Sequence, residues 1–303
     1  MAFRVGIPRG LLYYYYGEIW KRFFEQLGIE AVVSSATTKE TIDKGNVIDE
    51  VCLPLKVYFG HVCELEEKVD FLFIPRLVSA AYGQYSCPKM MGLPDVVRAN
   101  FTQAPPLLDM TVNLRKGKYD LYRAVVELGD RLGKKPLASL LAWRKANVFI
   151  AETIPEKRQE PAMGVTIGLV GHPYILNDRE ISQDISGKLA GIGVQVVKPE
   201  SVTEKEANEA AKYLTKPIFW HYCSRLAGVA LSLIYSRRVD GLIFVTSFAC
   251  GPDSLVGEVV GWHARQNHLP MLMLALDEHS GDTGLVTRLE AFCDMLGRRK
   301  QLC

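Results

Sequence analysis

The 303-residue chain contains no Cys-x-x-Cys, which removes the zinc ribbon, the ferredoxin run and the thioredoxin-type redox pair. It contains neither Gly-x-x-x-x-Gly-Lys-[Ser/Thr] nor Gly-x-Gly-x-x-Gly, so phosphate-loop and dinucleotide-binding readings lack their motif. There is no Gly-x-Ser-x-Gly elbow, which weakens a hydrolase. Long apolar runs are missing too: the strongest, Phe219 to Tyr235, is interrupted by His221 and Arg225 and falls short of the roughly 20 residues needed to cross a bilayer. The N-terminus lacks the basic start and apolar stretch of a signal peptide. Excess charge is also absent, since 36 Lys+Arg stand against 34 Asp+Glu and the longest basic block is Arg298-Arg299-Lys300. Nucleic acid and membrane are therefore not the expected partners, and a soluble, cytoplasmic protein is.

What is present is enough apolar material, 48% of residues, to bury sizeable cores. At roughly 150 residues per domain the length suggests two domains. Phe3 to Ile7, Ala31 to Val33 and Phe71 to Ile74 read as strands; between the first two, Ile19, Trp20, Phe23, Phe24 and Leu27 recur at helical spacing up to Gly28. Thr37-x-x-Glu40 resembles a capping box. Residues from about Lys116 to Asn147 read as helical, interrupted near Pro136, and 154–161, charged with two prolines, reads as a linker. Strands resume at Val165 to Gly171, Val194 to Val197, Gly241 to Thr246 and Met271 to Leu276, with a helix over Leu255 to Gln266. Strand alternating with helix implies parallel βαβ units. The expected division is an N-terminal α/β domain over 1–115, a helical connection and linker over 116–161, and a C-terminal α/β domain over 162–303.

Seven cysteines, an odd number in a chain this long, do not suggest a secreted disulfide framework, and in a reducing compartment thiols are buried, catalytic or metal-bound. Ligands of open parallel sheets bind beyond the carboxyl ends of strands. Cys250 lies just past the Gly241 to Thr246 strand, in Ala249-Cys250-Gly251-Pro252-Asp253, where a helix should start and its free N–H groups would stabilise a thiolate or an anionic cluster. Cys87 (Ser86-Cys87-Pro88) and Cys52 (Cys52-Leu53-Pro54) also stand beside prolines in loops. Each alone reads equally as an ordinary small buried residue; with Cys250 they favour a metal, iron–sulfur ahead of zinc, the fold assembling the site from separate loops. His172, His263, His268 and His279 show no ligand spacing. Cys63 and Cys293 read as packing residues, Cys303 is terminal, and Cys223 in Phe219-Trp220-His221-Tyr222-Cys223 is a weaker site candidate.

Two further segments each admit more than one reading. Asp277 to Gly284 mixes acid, base and hydroxyl groups after a strand, so it either caps the next helix or lines a site near Cys250. Tyr13-Tyr14-Tyr15-Tyr16 would point all round a helix, so not every ring can be core.

Arg4-Val5-Gly6-Ile7-Pro8-Arg9-Gly10-Leu11, Cys52-Leu53-Pro54-Leu55-Lys56 with Gly60-His61, Cys87-Pro88, Gly171-His172-Pro173-Tyr174, Cys250 to Ser254, and Asp277 to Ser280 through Thr287 to Phe292 occur in order along nearly the whole chain. In these the sequence resembles the acyl-CoA dehydratase activase-related family, which is itself similar to 2-hydroxyacyl-CoA dehydratase subunits and double-cubane cluster proteins. The resemblance implies two Rossmann-like domains with mainly parallel sheets and an iron–sulfur cluster in the cleft between them. Its ligands map onto Cys52, Cys87 and Cys250. It implies a [4Fe-4S] cluster, with a double-cubane [8Fe-9S] cluster as the alternative, and a fourth ligand drawn from Cys223, Glu258, Tyr222 or His221. It implies low-potential electrons from a separate ATP-dependent activase or reductase, used for radical dehydration or small-molecule reduction, in a homodimer working anaerobically. The alternatives are an electron carrier without its own substrate and a cluster-delivery scaffold. No catalytic residue is assigned by this reading.

Overall fold

The computed structural model describes residues 3–153 and 164–301, and the chain divides into two compact units, Met1–Pro155 and Glu156–Cys303. The stretch read as a linker, 154–161, lies outside the described residues, and so does Cys303.

The first unit runs β1 (Arg4–Ile7), α1 (Tyr13–Gln26), β2 (Glu30–Val33), α2 (Lys39–Lys44), α3 (Leu53–Leu65), β3 (Phe71–Phe73), β4 (Arg76–Ser79), α4 (Pro88–Met91), α5 (Leu93–Asn100), β5 (Leu107–Leu108), β6 (Thr111–Asn113), α6 (Tyr119–Arg131) and α7 (Pro136–Thr153). Four strands form a parallel sheet in the order β2-β1-β3-β5, and β4 and β6 make a small parallel pair. The apolar period of α1 has the expected effect: Trp20, Phe23 and Phe24 are buried, with the Trp20 ring 4.9 Å from Phe73 and 4.9 Å from Trp143 of α7. The helical residues set between the domains by the sequence thus pack, as α6 and α7, within the first unit. Pro136 opens α7, where a missing N–H costs nothing. All four tyrosines of the Tyr13 to Tyr16 run are half-buried. Gly17 follows them because a Cβ there would run into the Tyr13 ring.

The second unit runs β7 (Thr166–Val170), α8 (Pro173–Leu176), α9 (Arg179–Ser182), α10 (Ile185–Ile192), β8 (Gln195–Val197), α11 (Glu204–Ala210), α12 (His221–Ser236), β9 (Gly241–Ser247), α13 (Gly251–Gln266), β10 (Met271–Leu276) and α14 (Asp282–Gln301). Its sheet, again parallel, has the order β10-β9-β7-β8. Every residue of β9 is buried, which is why that strand reads as a continuous apolar run rather than an alternating one. Its core gathers Leu226, Ala230, Leu233 and Ile234 of α12 with Phe244 of β9 and Val256 and Val260 of α13.

Both units are mixed α/β with the order of a Rossmann-like half. The first strand is interior, the second pairs on one side of it and the third on the other. In such a sheet the crevice at the carboxyl ends of the first and third strands is where ligands settle. For the second unit these are β7 and β9. Among the described residues no helix is long and apolar enough to cross a membrane.

Candidate metal centre

Three cysteines occupy the same kind of local position. Cys52, Cys87 and Cys250 are the N-cap residues of α3, α4 and α13; each helix has proline in its first two positions, and none of the three side chains caps its own helix. Proline starts a helix because its φ is preset and it lacks the N–H that would go unpaired there. Sulfur is a weak acceptor, so at α3 and α13 the first-turn amides keep a partial positive charge toward it, a setting that favours thiolate. All three cysteines are partly exposed.

Their loops are held by different means. The amide of Ser86 donates to the Val78 carbonyl at 2.9 Å, and the Tyr85 hydroxyl is hydrogen-bonded by Arg115, whose guanidinium sits 5.0 Å from the ring centre. The Ser86 Oγ is buried with no hydrogen-bond partner among the described residues. Before Cys250, Ala249 takes φ +61°, a left-handed conformation costing a side-chain-bearing residue about 1 kcal/mol. The surroundings that enforce it are visible: Phe248 N–H donates to the Leu276 carbonyl at 2.8 Å, Cys250 N–H donates to Ser247 at 3.1 Å, and Ser254 Oγ donates back to the Cys250 carbonyl at 2.9 Å. The Phe248 bond sets the start of the Asp277 to Gly284 loop beside the Cys250 loop. Within that loop Ser280 Oγ donates to Asp277 Oδ1 at 3.0 Å.

Beyond the ends of β7 and β9 a second group assembles. His172, the N-cap of α8, places Nε2 2.9 Å from Oδ1 of Asp253 in the first turn of α13. Cys223, in the first turn of α12, places its sulfur 3.4 Å from the same oxygen. His172, Asp253 and Cys223 are 2%, 1% and 5% exposed, and their donor atoms lie within 4.8 Å of one another. Burial by itself pushes the Asp253 carboxyl up. The His172 ring beside it, with hydrogen bonds from His172, Cys223 and Cys250, outweighs burial and holds the carboxyl below the usual range. Its other oxygen, Oδ2, is buried with no hydrogen-bond partner among the described residues. The His172 ring stacks on Tyr174 at 4.8 Å.

Of the four expected fourth ligands, Cys223 belongs to this buried group and Tyr222 is buried beside it in sequence. His221 opens α12 half-buried, and burial followed by the charge of Arg225 outweighs the pull of Glu204 and lowers its pKa, so it is neutral at neutral pH. Glu258 is exposed on α13, eight residues or about 12 Å of helical rise from Cys250, and the structure does not bring the two together. Cys63 donates to the Lys44 carbonyl at 3.6 Å and Cys293 is buried in α14. Burial pushes both thiols up, the state of an inert structural cysteine.

His172 is a residue that spacing along the chain passed over. Its partners are 51 and 81 positions away, and only the adjacency of β7 and β9 unites them. The signal that could have found it is that Gly171-His172-Pro173 and Cys250-Gly251-Pro252-Asp253 both follow buried strands. His263, by contrast, has an ordinary core partner, the Tyr235 hydroxyl at 2.9 Å.

A family profile described as CoA enzyme activase uncharacterised domain matches residues 4–202, a segment holding Cys52, Cys87 and His172 and ending before Cys223, Cys250 and Asp253. No curated protein matches the chain. Among solved structures, the SBP FpvC from Pseudomonas aeruginosa in complex with Mn2+ aligns with a TM-score of 0.30 and 11% identity, covering 99% of this chain and 100% of that one. A periplasmic sugar-binding protein from Pseudomonas fluorescens aligns with a TM-score of 0.23 and 13% identity over 98% and 92%. Neither likeness is close enough to carry an argument.

Proposed function

The chain belongs to the family of the CoA enzyme activase uncharacterised domain, and from that membership we propose that it is an iron–sulfur protein of the dehydratase type whose cluster is held by Cys52, Cys87 and Cys250. The membership agrees with the sequence resemblance to acyl-CoA dehydratase activase-related proteins. The observation that carries the cluster reading is the shared placement of the three thiols: each is a partly exposed N-cap beside proline, and none caps its own helix. Packing cysteines look different in this same chain, as Cys63 and Cys293 show.

The donor set fits. Three thiolates are what a four-iron cube with one non-cysteine position requires, and the first-turn amides of α3 and α13 offset their negative charge. The unpaired Ser86 Oγ beside Cys87 is a hydroxyl in reserve for a sulfur, the kind of hydrogen bond that tunes a cluster. When bound, the cluster supplies one-electron transfer at low potential. The chain's residues would then bind it, present it on the segments that follow α2, β4 and β9, and receive electrons from a separate ATP-dependent reductase.

The test is anaerobic purification with iron and sulfide analysis and electron paramagnetic resonance, repeated on Cys52→Ser, Cys87→Ser and Cys250→Ser. About four iron and four sulfide per chain are expected, with a reduced-state signal lost in each variant. Wild-type protein free of iron, or holding zinc that leaves when Cys52 or Cys87 is replaced, overturns the reading.

A further inference from the structure

We propose that His172, Cys223 and Asp253 form a separate site for a divalent transition metal, with zinc the ion their chemistry fits best. The site does not rest on the cluster reading. Its donor set includes none of Cys52, Cys87 or Cys250, although the Cys250 thiol lies against Asp253, and it is built inside the second unit at the carboxyl ends of two adjacent strands.

Three observations carry it. The first is the donor set: an imidazole nitrogen, a thiol sulfur and a carboxylate oxygen are the three ligand types that zinc takes. The second is spacing. Zinc–ligand bonds of about 2.0–2.3 Å set the donors of a tetrahedral site roughly 3.3–3.7 Å apart. Here Nε2 and Oδ1 are 2.9 Å apart and Sγ and Oδ1 3.4 Å apart, with all three inside 4.8 Å, so adjustments on the order of an ångström would admit the ion.

The third is the orphaned Oδ2. Asp253 is 1% exposed, and a buried carboxylate oxygen without a partner is costly, so native structures rarely keep one. His172 and Cys223 account for Oδ1, and the Cys250 thiol, though it helps to hold the carboxyl ionised, leaves Oδ2 unsatisfied. A cation held through both carboxylate oxygens accounts for the orphan as well. On binding, the metal takes the Nε2 lone pair, with the ring proton on Nδ1, and displaces the Cys223 proton to solvent. Three protein donors leave one position of a tetrahedron open, the pattern of zinc sites that admit water or a substrate atom.

The experiment uses the full chain carrying Cys52→Ser and Cys87→Ser, so that loss of the cluster cannot be confused with loss of this site. The protein is treated with chelator and titrated anaerobically with Co2+, then with Zn2+. The expected result is one equivalent of cobalt with intense tetrahedral d–d bands and a sulfur-to-cobalt charge-transfer band, all displaced by zinc, and a rise in Tm on adding zinc. Cys223→Ser should lose the charge-transfer band. His172→Gln and Asp253→Asn, which keep side-chain size, should each weaken binding by at least ~10-fold and lose the zinc-dependent rise in Tm while their circular dichroism stays native. Absence of tetrahedral bands in the parent overturns the proposal, as does a charge-transfer band that survives in Cys223→Ser with unchanged affinity.

Discussion

In each unit two helices bridge the second and third strands of the sheet, α2 and α3 between β2 and β3, α11 and α12 between β8 and β9. Each pair starts from a capping threonine, Thr38 or Thr203. Each second helix carries a glycine at its eighth residue, Gly60 or Gly228, where a Cβ would overlap a backbone carbonyl of the first helix, that of Thr41 or of Ala207. The units differ in where they put the thiol. In the first unit Cys52 is the N-cap of the second helix and partly exposed; in the second unit Trp220 caps, and the thiol sits at the third residue, Cys223, buried against Asp253. The crossover to the fourth strand shows the exposed version twice, at Cys87 and at Cys250. One topology thus presents a thiol outward or folds it into a polar interior by moving it less than one helical turn.

The shared helix contact gives the largest expected effect. Gly60→Ala and Gly228→Ala each drive a methyl group into backbone that cannot rotate away. Each should cost more than about 3 kcal/mol, beyond the ordinary range of small-to-large core changes. Gly60 should be the more damaging, because Gly45 on the partner segment is pressed as closely against the Lys56 carbonyl and leaves α2 no room to retreat. Urea unfolding of both variants checks the ranking. Equal, small losses would mean that the helix pairs are looser than they look and that the two crossovers are not equivalent.

The buried polar groups come next. Asp253→Asn in metal-free protein removes a charge that His172 and two thiols are arranged around, and should cost about 2–3 kcal/mol. Ser86→Ala in the first unit removes a buried hydroxyl that has no hydrogen-bond partner among the described residues, so stability should hold or rise slightly. Thermal unfolding of the two variants side by side separates a polar group built into its surroundings from one that waits for a ligand. A large loss in Ser86→Ala would show that the hydroxyl already has a structural task.

How much of this was legible beforehand depends on the range of the interaction. Strands β1, β2 and β3, the α1 stripe of Trp20, Phe23 and Phe24, and all four strands of the second sheet follow from local periodicity. So does the placement of Cys250 and Cys52 ahead of helices, while Cys87, which reads as part of a polar loop, is the N-cap of the four-residue α4. Strands β4, β5 and β6 do not, since each is defined by its pairing with a strand distant in sequence. The helices α6 and α7 were read as helical, but their attachment to the first unit depends on Trp143 meeting Trp20, a contact across more than a hundred residues. The His172–Asp253–Cys223 group is the extreme case, because each residue alone has an ordinary local setting.

A more modest contrast concerns acid stability. In the first unit Asp109 is gripped by Arg98 at 2.6 Å and Arg131 at 3.0 Å. Burial alone pushes its carboxyl up, but the bonds from Arg98 and Arg131 outweigh that and hold it below the usual range. A depressed folded-state pKa contributes stability that is complete above the unfolded value of about 3.9 and is lost as pH falls through the folded one. Asp109→Asn should therefore cost about 1 kcal/mol at neutral pH, and the gap to wild type should close below about pH 4. Unfolding midpoints at a series of pH values check the sign; a gap that widens in acid would contradict it.

The smallest effect tests the repeat most directly. Thr38 and Thr203 each accept a hydrogen bond from the amide three residues on, but the reciprocal partners differ: the hydroxyl of Thr41 in α2, the carboxylate of Glu206 in α11. Losing a capping side chain costs about 1 kcal/mol in either place. Thr203→Ala should be the worse by a few tenths, because the hydroxyl bond it removes runs 2.8 Å to the Glu206 carboxylate, whereas Thr38→Ala removes a 3.1 Å hydroxyl–hydroxyl bond to Thr41, and bonds to charged groups are the stronger kind. That excess should shrink when Glu206 is replaced by Gln, while the cost of Thr38→Ala stays level, since its partner is uncharged. Unfolding curves of Thr203→Ala and Thr38→Ala, each with and without Glu206→Gln, distinguish the outcomes. If the two threonines respond alike in both backgrounds, the carboxylate adds nothing to the cap, and the crossovers are alike in energy as well as in path.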